Sequence, residues 1–303
     1  MSGTPELDRL QTELRYACRG DERSLFALLD AARIRGLPVF LRETGSEFAC
    51  LYRGAPATEL AHVAPYLVKL PLSSLLVPWL LVDTNAAASI VILVAQASLE
   101  GLRAHLRRFL IVLDQNFGEN FFRFYDPRVI GPFLDVCTVE EKTRFFGPVR
   151  LILTCASTPP VKEPLFHTWI SPEGAGTLAP PAAFDKFALR QEHEDRFAAD
   201  ALANYRERCV VYLKGRYSSR LQDKSAEEVS VIVDRAREMA PSLGLVAGRD
   251  VTRLAEVLVL DPSFAAKTRL EERPVRERSG DLIKLRDVLE QLSEPEARVL
   301  RRG

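Results

Sequence analysis

The sequence lacks the short motifs by which most nucleotide-binding and hydrolytic sites are recognised. It has no Gly-x-Gly-x-x-Gly run, no glycine-rich phosphate-binding loop and no Gly-x-Ser-x-Gly elbow. The four histidines stand at positions 62, 105, 167 and 193, and none has the His-x-x-x-His or Cys-x-x-Cys partner that metal binding commonly requires. The sequence therefore gives no positive support for a nucleotide, a metal or a serine nucleophile, and we expect no cofactor.

Cysteine is scarce, and its spacing does not indicate a disulfide framework. The cysteines are odd in number and scattered, with no close pair of the zinc-binding or redox type. They are Cys18, Cys50, Cys137, Cys155 and Cys209. We expect them to be reduced and to serve as small buried residues.

Net charge and long apolar runs are also missing. The chain has 41 lysines plus arginines and 41 aspartates plus glutamates, so no overall field attracts nucleic acid or an anionic membrane. The longest apolar stretches, around 70–82 and 90–95, are too short or too interrupted to span a bilayer, and the N-terminus has no signal-peptide pattern. We expect a cytoplasmic, monomeric protein that binds no nucleic acid and does not insert into a membrane.

At 303 residues, the chain can form one large or two medium domains. Short apolar runs rich in β-branched and aromatic residues alternate with helical patterns in its first half. The predicted strands are 25–29, 48–52, 66–70, 89–95, 110–113, 121–124 and 149–156, and the predicted helices between them are 4–17, 31–42, 73–81 and 99–109. This alternation predicts an α/β fold with a mixed sheet covered by helices, and α+β is the alternative.

A change of composition predicts a boundary in the second half. Residues 157–183 are rich in Pro, Gly, Ser and Thr, with one strand pattern at 166–170, so we interpret them as a segment connecting an α/β lobe, 1–156, to an all-helical lobe, 184–303. Three amphipathic stripes follow. A charged stretch at 267–280 is typical of a mobile linker, and leucines beyond it predict a last amphipathic helix.

The stretch from Phe121 to Gly147 carries strong local signals. Phe121 to Phe124 is an aromatic run typical of a half-buried strand. Asp126 followed by Pro127 predicts a helix start, because the Asp side chain can accept bonds from free backbone N–H groups and proline at the first helical position sacrifices none.

A second helix start follows. Thr138 and Glu141 have the spacing of a capping box, in which each side chain satisfies a backbone donor near the other. We therefore predict a short helix to Phe146, ended by Gly147 and Pro148.

The run RFYDPRVIGPFL, followed by FFGPV, resembles the signature of the type VI secretion effector chaperones, or adaptors, also catalogued as a domain of unknown function. The similar block runs from about Leu25 to Val149, where LLDAA, LYRG, APYLV and SLEGLRAHLRRFL match further segments. Ala31 stands where a glycine is usual and Arg53 where an acidic residue is common. The residues that carry the resemblance are Asp30, Tyr52, Gly54, Pro65, Arg123, Tyr125, Asp126, Pro127, Arg128, Gly147 and Pro148.

This resemblance implies a cytoplasmic, non-enzymatic chaperone. Such a protein binds a toxic effector and helps to load it onto the VgrG-type spike protein of the secretion apparatus. Two other classes stay open: an enzyme with an unrecognised hydrolytic site that uses Asp126 or His105, and a regulatory domain that binds a small molecule.

Three sets of residues are candidates for chemistry or partner binding. Arg123, Asp126 and Arg128 place a carboxylate between two guanidinium groups, which could orient an anion, although we favour a structural cap. We expect a solvated or partner-facing cluster at His105, Arg107 and Arg108. We also expect the helical lobe to bind the effector, and its tyrosine candidates are Tyr205, Tyr212 and Tyr217.

Overall fold

The computed structural model describes residues 25–71, 90–156, 165–172 and 186–264, together with Thr12 and Tyr16. The chain divides into two compact units, Met1–Ala198 and Ala199–Gly303. No helix in the described ranges has both the length and the apolar character needed to cross a membrane.

The first unit is built on a six-stranded sheet. Its strands are β1 Leu25–Asp30, β2 Phe48–Cys50, β3 Pro65–Lys69, β4 Ile90–Ala95, β7 Val149–Ala156 and β8 Leu165–Ile170. Their order across the sheet is β2-β3-β1-β4-β7-β8. Every pairing in it is antiparallel. The prediction of an α/β fold is confirmed. The prediction of a mixed sheet is wrong, because this sheet contains only antiparallel pairs, as the α+β alternative expects.

Strand β1 lies inside the sheet because it is apolar on both faces. All six of its residues are buried, and the five apolar ones alternate between two cores. Phe26 and Leu28 face one core, while Leu25, Ala27 and Leu29 face the other. Such a continuous apolar run is typical of a strand covered on both sides.

Five α-helices of the first unit are described over their full length. They are α1 Leu37–Glu43, α2 Ala55–Glu59, α3 Leu99–Arg107, α4 Pro127–Val136 and α5 Val139–Phe146. Buried residues of α1 contribute to one core, and those of α3, α4 and α5 contribute to the other, which is rich in aromatic rings. The predicted helix at 31–42 is thus shorter and begins later, because Gly36 ends a series of turns with a positive φ of 77°.

A separate two-stranded ribbon consists of β5 Ile111–Leu113 and β6 Glu119–Phe121. The prediction of a strand over 121–124 is therefore wrong beyond Phe121. Phe122 and Phe124 are both buried in the aromatic core, and the N–H of Asp126 donates to the carbonyl of Arg123 at 2.9 Å. The aromatic run turns into the core instead of continuing along a sheet.

The boundary between the units lies C-terminal to the predicted connecting segment. Residues 186–198 belong to the first unit. Phe187 is buried in the aromatic core, and Leu189 and Phe197 pack against it. The N–H groups of Leu113 and Leu189 bond to the carbonyls of Phe187 and Leu113, respectively, both at 2.8 Å. The segment therefore continues the first unit's packing.

The second unit is helical in the part described. Helix α6 Gln191–Arg216 enters it and is followed by α7 Ser218–Leu221, α8 Ala226–Met239 and α9 Gly248–Leu260. Their apolar stripes form one core with Leu213, Val233 and Leu254 among its fully buried residues. Other predictions lie outside the described residues: the helix at 73–81, most of the helix at 4–17, the linker at 267–280 and the last amphipathic helix.

Candidate functional site

The charged residues of the RFYDPR run lie beside the end of β1. Arg123 Nη2 donates to Asp30 Oδ2 at 2.5 Å, although the two residues are far apart in sequence. Arg128 binds Asp126 through two bonds, Nε to Oδ1 at 3.0 Å and Nη2 to Oδ2 at 2.6 Å. Arg33 Nη1 lies 3.9 Å from the same Oδ2. Two buried carboxylates are thus surrounded by three arginines, and we call these five residues the arginine–aspartate cluster.

Asp126 is the N-cap of α4, as predicted. Its Oδ1 accepts the backbone N–H of Arg128 at 3.0 Å, and Pro127 occupies the first turn of the helix. Burial acts to raise the pKa of Asp126, but the side-chain and backbone hydrogen bonds from Arg128 outweigh it and the pKa is lowered. The carboxylate is therefore charged at neutral pH and fully engaged.

The pKa of Asp30 is shifted in the opposite direction, upward. Its side chain is completely buried, and burial raises its pKa despite the backbone hydrogen bond from Ala32 and the charge of Arg123. Tyr125 packs below the guanidinium group of Arg123, whose Cζ lies 5.4 Å from the ring centroid. Burial also raises the pKa of Tyr125 well above its ordinary value.

The hydrogen bonds of the arginine–aspartate cluster indicate a structural role. Asp30 Oδ1 accepts the N–H of Ala32 at 2.9 Å while Oδ2 accepts Arg123, and both oxygens of Asp126 accept Arg128. A catalytic acid needs a proton and a catalytic base needs a free lone pair facing substrate. The cluster instead joins the end of β1 to the start of α4.

The other motif residues lie at turns and at the ends of elements. Gly54 precedes α2 with a φ of 58°, and Gly147 ends α5 with a φ of 50°. Pro65 begins β3, and its carbonyl accepts the N–H of Leu51 at 2.9 Å. These positions, with the half-buried Tyr52 and the buried Pro148, define turns between elements. The capping box of Thr138 and Glu141 is present as predicted.

The prediction of an exposed cluster at His105 is wrong. The side chain is buried, and its Nε2 donates to the carbonyl of Phe145 at 2.7 Å while its ring packs edge-on against Phe109. Burial lowers the pKa of His105 to about 4, so the ring is neutral at pH 7. His105 lies on the side of α3 that faces the core, because Leu102 and Leu106 share that side. Arg107 and Arg108 are half-buried and do not form one surface with it.

A cluster that sequence spacing did not reveal consists of Cys137, Glu141 and His193. The sulfur of Cys137 lies 3.5 Å from Nε2 of His193, which lies 3.7 Å from Oε2 of Glu141. Arg190 binds Glu141 through Nε and Nη2 at 2.8 and 3.1 Å. Burial raises the pKa of the Cys137 thiol to about 12, so it is not an activated nucleophile.

These residue types are also zinc ligands, and their candidate ligand atoms all lie within 4.8 Å of one another. However, the N–H of Arg190 donates to Nδ1 of His193 at 3.0 Å. A neutral imidazole that accepts at Nδ1 carries its proton on Nε2, the nitrogen that faces Cys137 and Glu141. The carboxylate is already bound to Arg190 and to the N–H of Thr138. The residues therefore fit a hydrogen-bonded contact better than a metal.

The tyrosines predicted to bind a partner form contacts within the second unit. Tyr205 donates from its hydroxyl to the carbonyl of Gly248 at 3.0 Å, and Tyr212 donates to Glu256 at 2.7 Å. Tyr217 is 6% exposed. Tyr217 is thus a core residue, whereas Tyr212, with 43% of its surface exposed, is still accessible.

Comparison with known proteins bears on the first unit. A family described as a domain of unknown function (DUF4123) matches residues 25–144. This range begins at β1, ends within α5 and contains the arginine–aspartate cluster. Comparison with curated proteins and with solved structures found no match. The family match agrees with the block indicated by the RFYDPR resemblance, and it does not state an activity.

Proposed function

We propose that this chain is a cytoplasmic adaptor that binds a type VI secretion effector and helps to load it onto a VgrG-type spike protein. The observation that carries the proposal is the match over residues 25–144, which coincides with the block containing RFYDPRVIGPFL. Within that block the charged residues of the motif bind one another. Their role is to stabilise a scaffold, which is what a protein that holds a partner requires.

The enzyme alternative has less support from the geometry. Asp126 has a lowered pKa and both of its oxygens accept bonds from Arg128, so it is a poor general acid and a hindered base. His105 is neutral, buried and bonded to a backbone carbonyl. Neither side chain presents a reactive atom to solvent in the described part of the chain.

Co-expression with the products of the neighbouring genes tests the proposal. A tagged chain should co-purify in fixed stoichiometry with a toxin-domain protein, and the pair should bind a spike protein in size-exclusion chromatography. Turnover of a substrate that is lost in the double variant Asp126→Asn/His105→Ala would instead support the enzyme. A melting temperature that rises with a small metabolite, with no protein partner captured, would support the regulatory domain.

A further inference from the structure

Strand β6 has an outer edge whose backbone groups are unpaired among the described residues. It pairs with β5 in the register Ile111 with Phe121 and Leu113 with Glu119. The N–H of Phe122 donates to the carbonyl of Leu110 at 2.9 Å, so residues 110 and 122 form a hydrogen-bonded pair. Hydrogen-bonded and non-hydrogen-bonded pairs alternate along an antiparallel ladder, so the pairs at 111 and 113 are not hydrogen-bonded to each other. The N–H and C=O groups of Glu119 and Phe121 therefore point away from β5.

Aromatic side chains stand beside this edge. Phe121 is 47% exposed and packs edge-on against the half-buried ring of Tyr52, with 5.8 Å between centroids. Phe117, in the turn before β6, is 80% exposed and has a φ of 60°. This left-handed backbone conformation is unfavourable for residues other than glycine. The fold thus holds an exposed phenylalanine where glycine would be more stable.

Arginines lie near Tyr52, the residue whose ring packs against Phe121. Arg103 donates to the carbonyls of Cys50 and Tyr52 and pairs with Glu100. Burial and the nearby charges of Arg53 and Arg103 lower the pKa of Arg107. In the described ranges, neither Arg53 nor Arg107 forms an ion pair with a carboxylate. Glu100, which is bound to Arg103, is the carboxylate that also acts on Arg107. One carboxylate does not neutralise three arginines, and the remaining positive charge favours an acidic ligand.

We propose that the outer edge of β6 binds an extended acidic segment of the protein partner by strand addition. The backbone of Glu119 and Phe121 would pair with the incoming strand, Phe117 and Phe121 would contact its apolar side chains, and Arg53 and Arg107 would attract its carboxylates. Only the identification of the partner as a secretion effector rests on the proposed function.

A matched pair of variants separates backbone pairing from side-chain effects. Glu119→Pro removes an outward N–H without removing a bond to β5, and proline is tolerated at such an edge. Glu119→Thr loses the same carboxylate, and with it the contact to Lys186, but keeps the N–H. Thermal unfolding followed by circular dichroism checks that both variants are folded.

Binding is measured by fluorescence anisotropy with a short labelled peptide of repeating Glu-Val. A repeating Lys-Val peptide is the charge control. We expect the full chain to prefer the acidic peptide, Glu119→Pro to bind it about tenfold more weakly than Glu119→Thr, and Arg53→Glu/Arg107→Glu to lose at least as much. Phe117→Gly should weaken binding while the melting temperature stays the same or rises.

Several results would overturn the proposal. The first two are equal affinity of the chain for the two peptides, and equal affinity of the Glu119→Pro and Glu119→Thr variants for the acidic peptide. The third is tighter binding of a single-stranded oligonucleotide that the Glu119→Pro substitution leaves unchanged. The fourth is a dimer of the free chain that Glu119→Pro dissociates. An effector that co-purifies equally with every variant would leave the adaptor function standing and refute the β6 site. Peptide binding at β6 with no captured effector would support the β6 site and refute the adaptor function.

Discussion

The ring of His105 lies directly against the backbone of Gly147. A Cβ atom added at Gly147 would lie 2.7 Å from Nδ1 of His105 and closer still to Cε1, far inside van der Waals contact. The ring cannot move away easily because it is buried and its Nε2 bonds to Phe145. Gly147 also has φ 50° and ψ −114°, a combination that is essentially restricted to glycine.

Gly147→Ala should therefore be strongly destabilising. We expect a loss of about 3 kcal/mol or more in the free energy of unfolding, measured by urea denaturation, from backbone strain together with overpacking. Gly36→Ala is the matched control, because Gly36 also has a positive φ but has no atom within 4 Å of the place that a Cβ would occupy. That variant should lose about 1 kcal/mol. Equal losses would mean that the His105 contact is unimportant.

Substitutions at Asp126 should separate its two structural roles. Asp126→Ala removes the N-cap and the partner of Arg128, for which we expect a loss of about 2 kcal/mol in unfolding free energy. Asp126→Ser should recover about 1 kcal/mol, because a serine oxygen can still cap α4. Arg128→Met keeps the cap and should cost less than either, since Arg128 is exposed. If the Ser and Ala variants were equally unstable, capping would be the wrong explanation.

Arg123→Met should make stability more sensitive to pH. The pKa of Asp30 is already raised above its ordinary value of 3.8, and removing Arg123 should raise it further. A carboxyl group whose pKa is higher in the folded state stabilises the fold below the unfolded pKa, and this contribution disappears as pH rises through the folded pKa.

The variant should therefore lose stability relative to the parent as pH increases from the ordinary aspartate range toward neutrality. Urea denaturation across this range measures the effect. The double variant Asp30→Asn/Arg123→Met has no titrating group at position 30 and should remove the added slope. A slope that persists in the double variant would assign it to another group.

Phe187→Ala should destabilise the first unit although it lies outside residues 25–144. Phe187 is 2% exposed and packs against Phe109, Phe133 and His193. We expect a loss of about 3 to 4 kcal/mol in unfolding free energy, measured by denaturation. Phe117→Ala, a change at an exposed phenylalanine, should stay within about 0.5 kcal/mol. A neutral Phe187→Ala would show that the segment does not contribute to this core.

Zinc should not stabilise the protein through Cys137, Glu141 and His193. Because His193 accepts at Nδ1 and Glu141 is bound to Arg190, we expect equal melting temperatures with zinc, without zinc and after treatment with a chelator. Cys137→Ser serves as the comparison. A zinc-dependent rise in melting temperature that is lost in Cys137→Ser would establish a metal site.

Sequence reasoning succeeded where the physical cause is local. The caps at Asp126 and Thr138 depend on residues two or three positions away, and the continuous apolar run at 25–29 indicated a strand buried on both faces. Contacts between residues distant in sequence could not be predicted. His105 meets Phe145, and Cys137 meets His193, only after the helices have packed. The Asp30–Arg123 ion pair likewise joins two motifs whose spacing carries no signal of contact.

Glu141 has several partners at once. Its carboxylate caps α5 through the N–H of Thr138, binds Arg190 and faces His193. During evolution, a substitution at position 141 would disturb all of them, so acceptable changes should arise together with changes at 190 or 193. We therefore expect the inherited unit to extend past residue 144 to the start of α6, and positions 141 and 190 to covary among relatives.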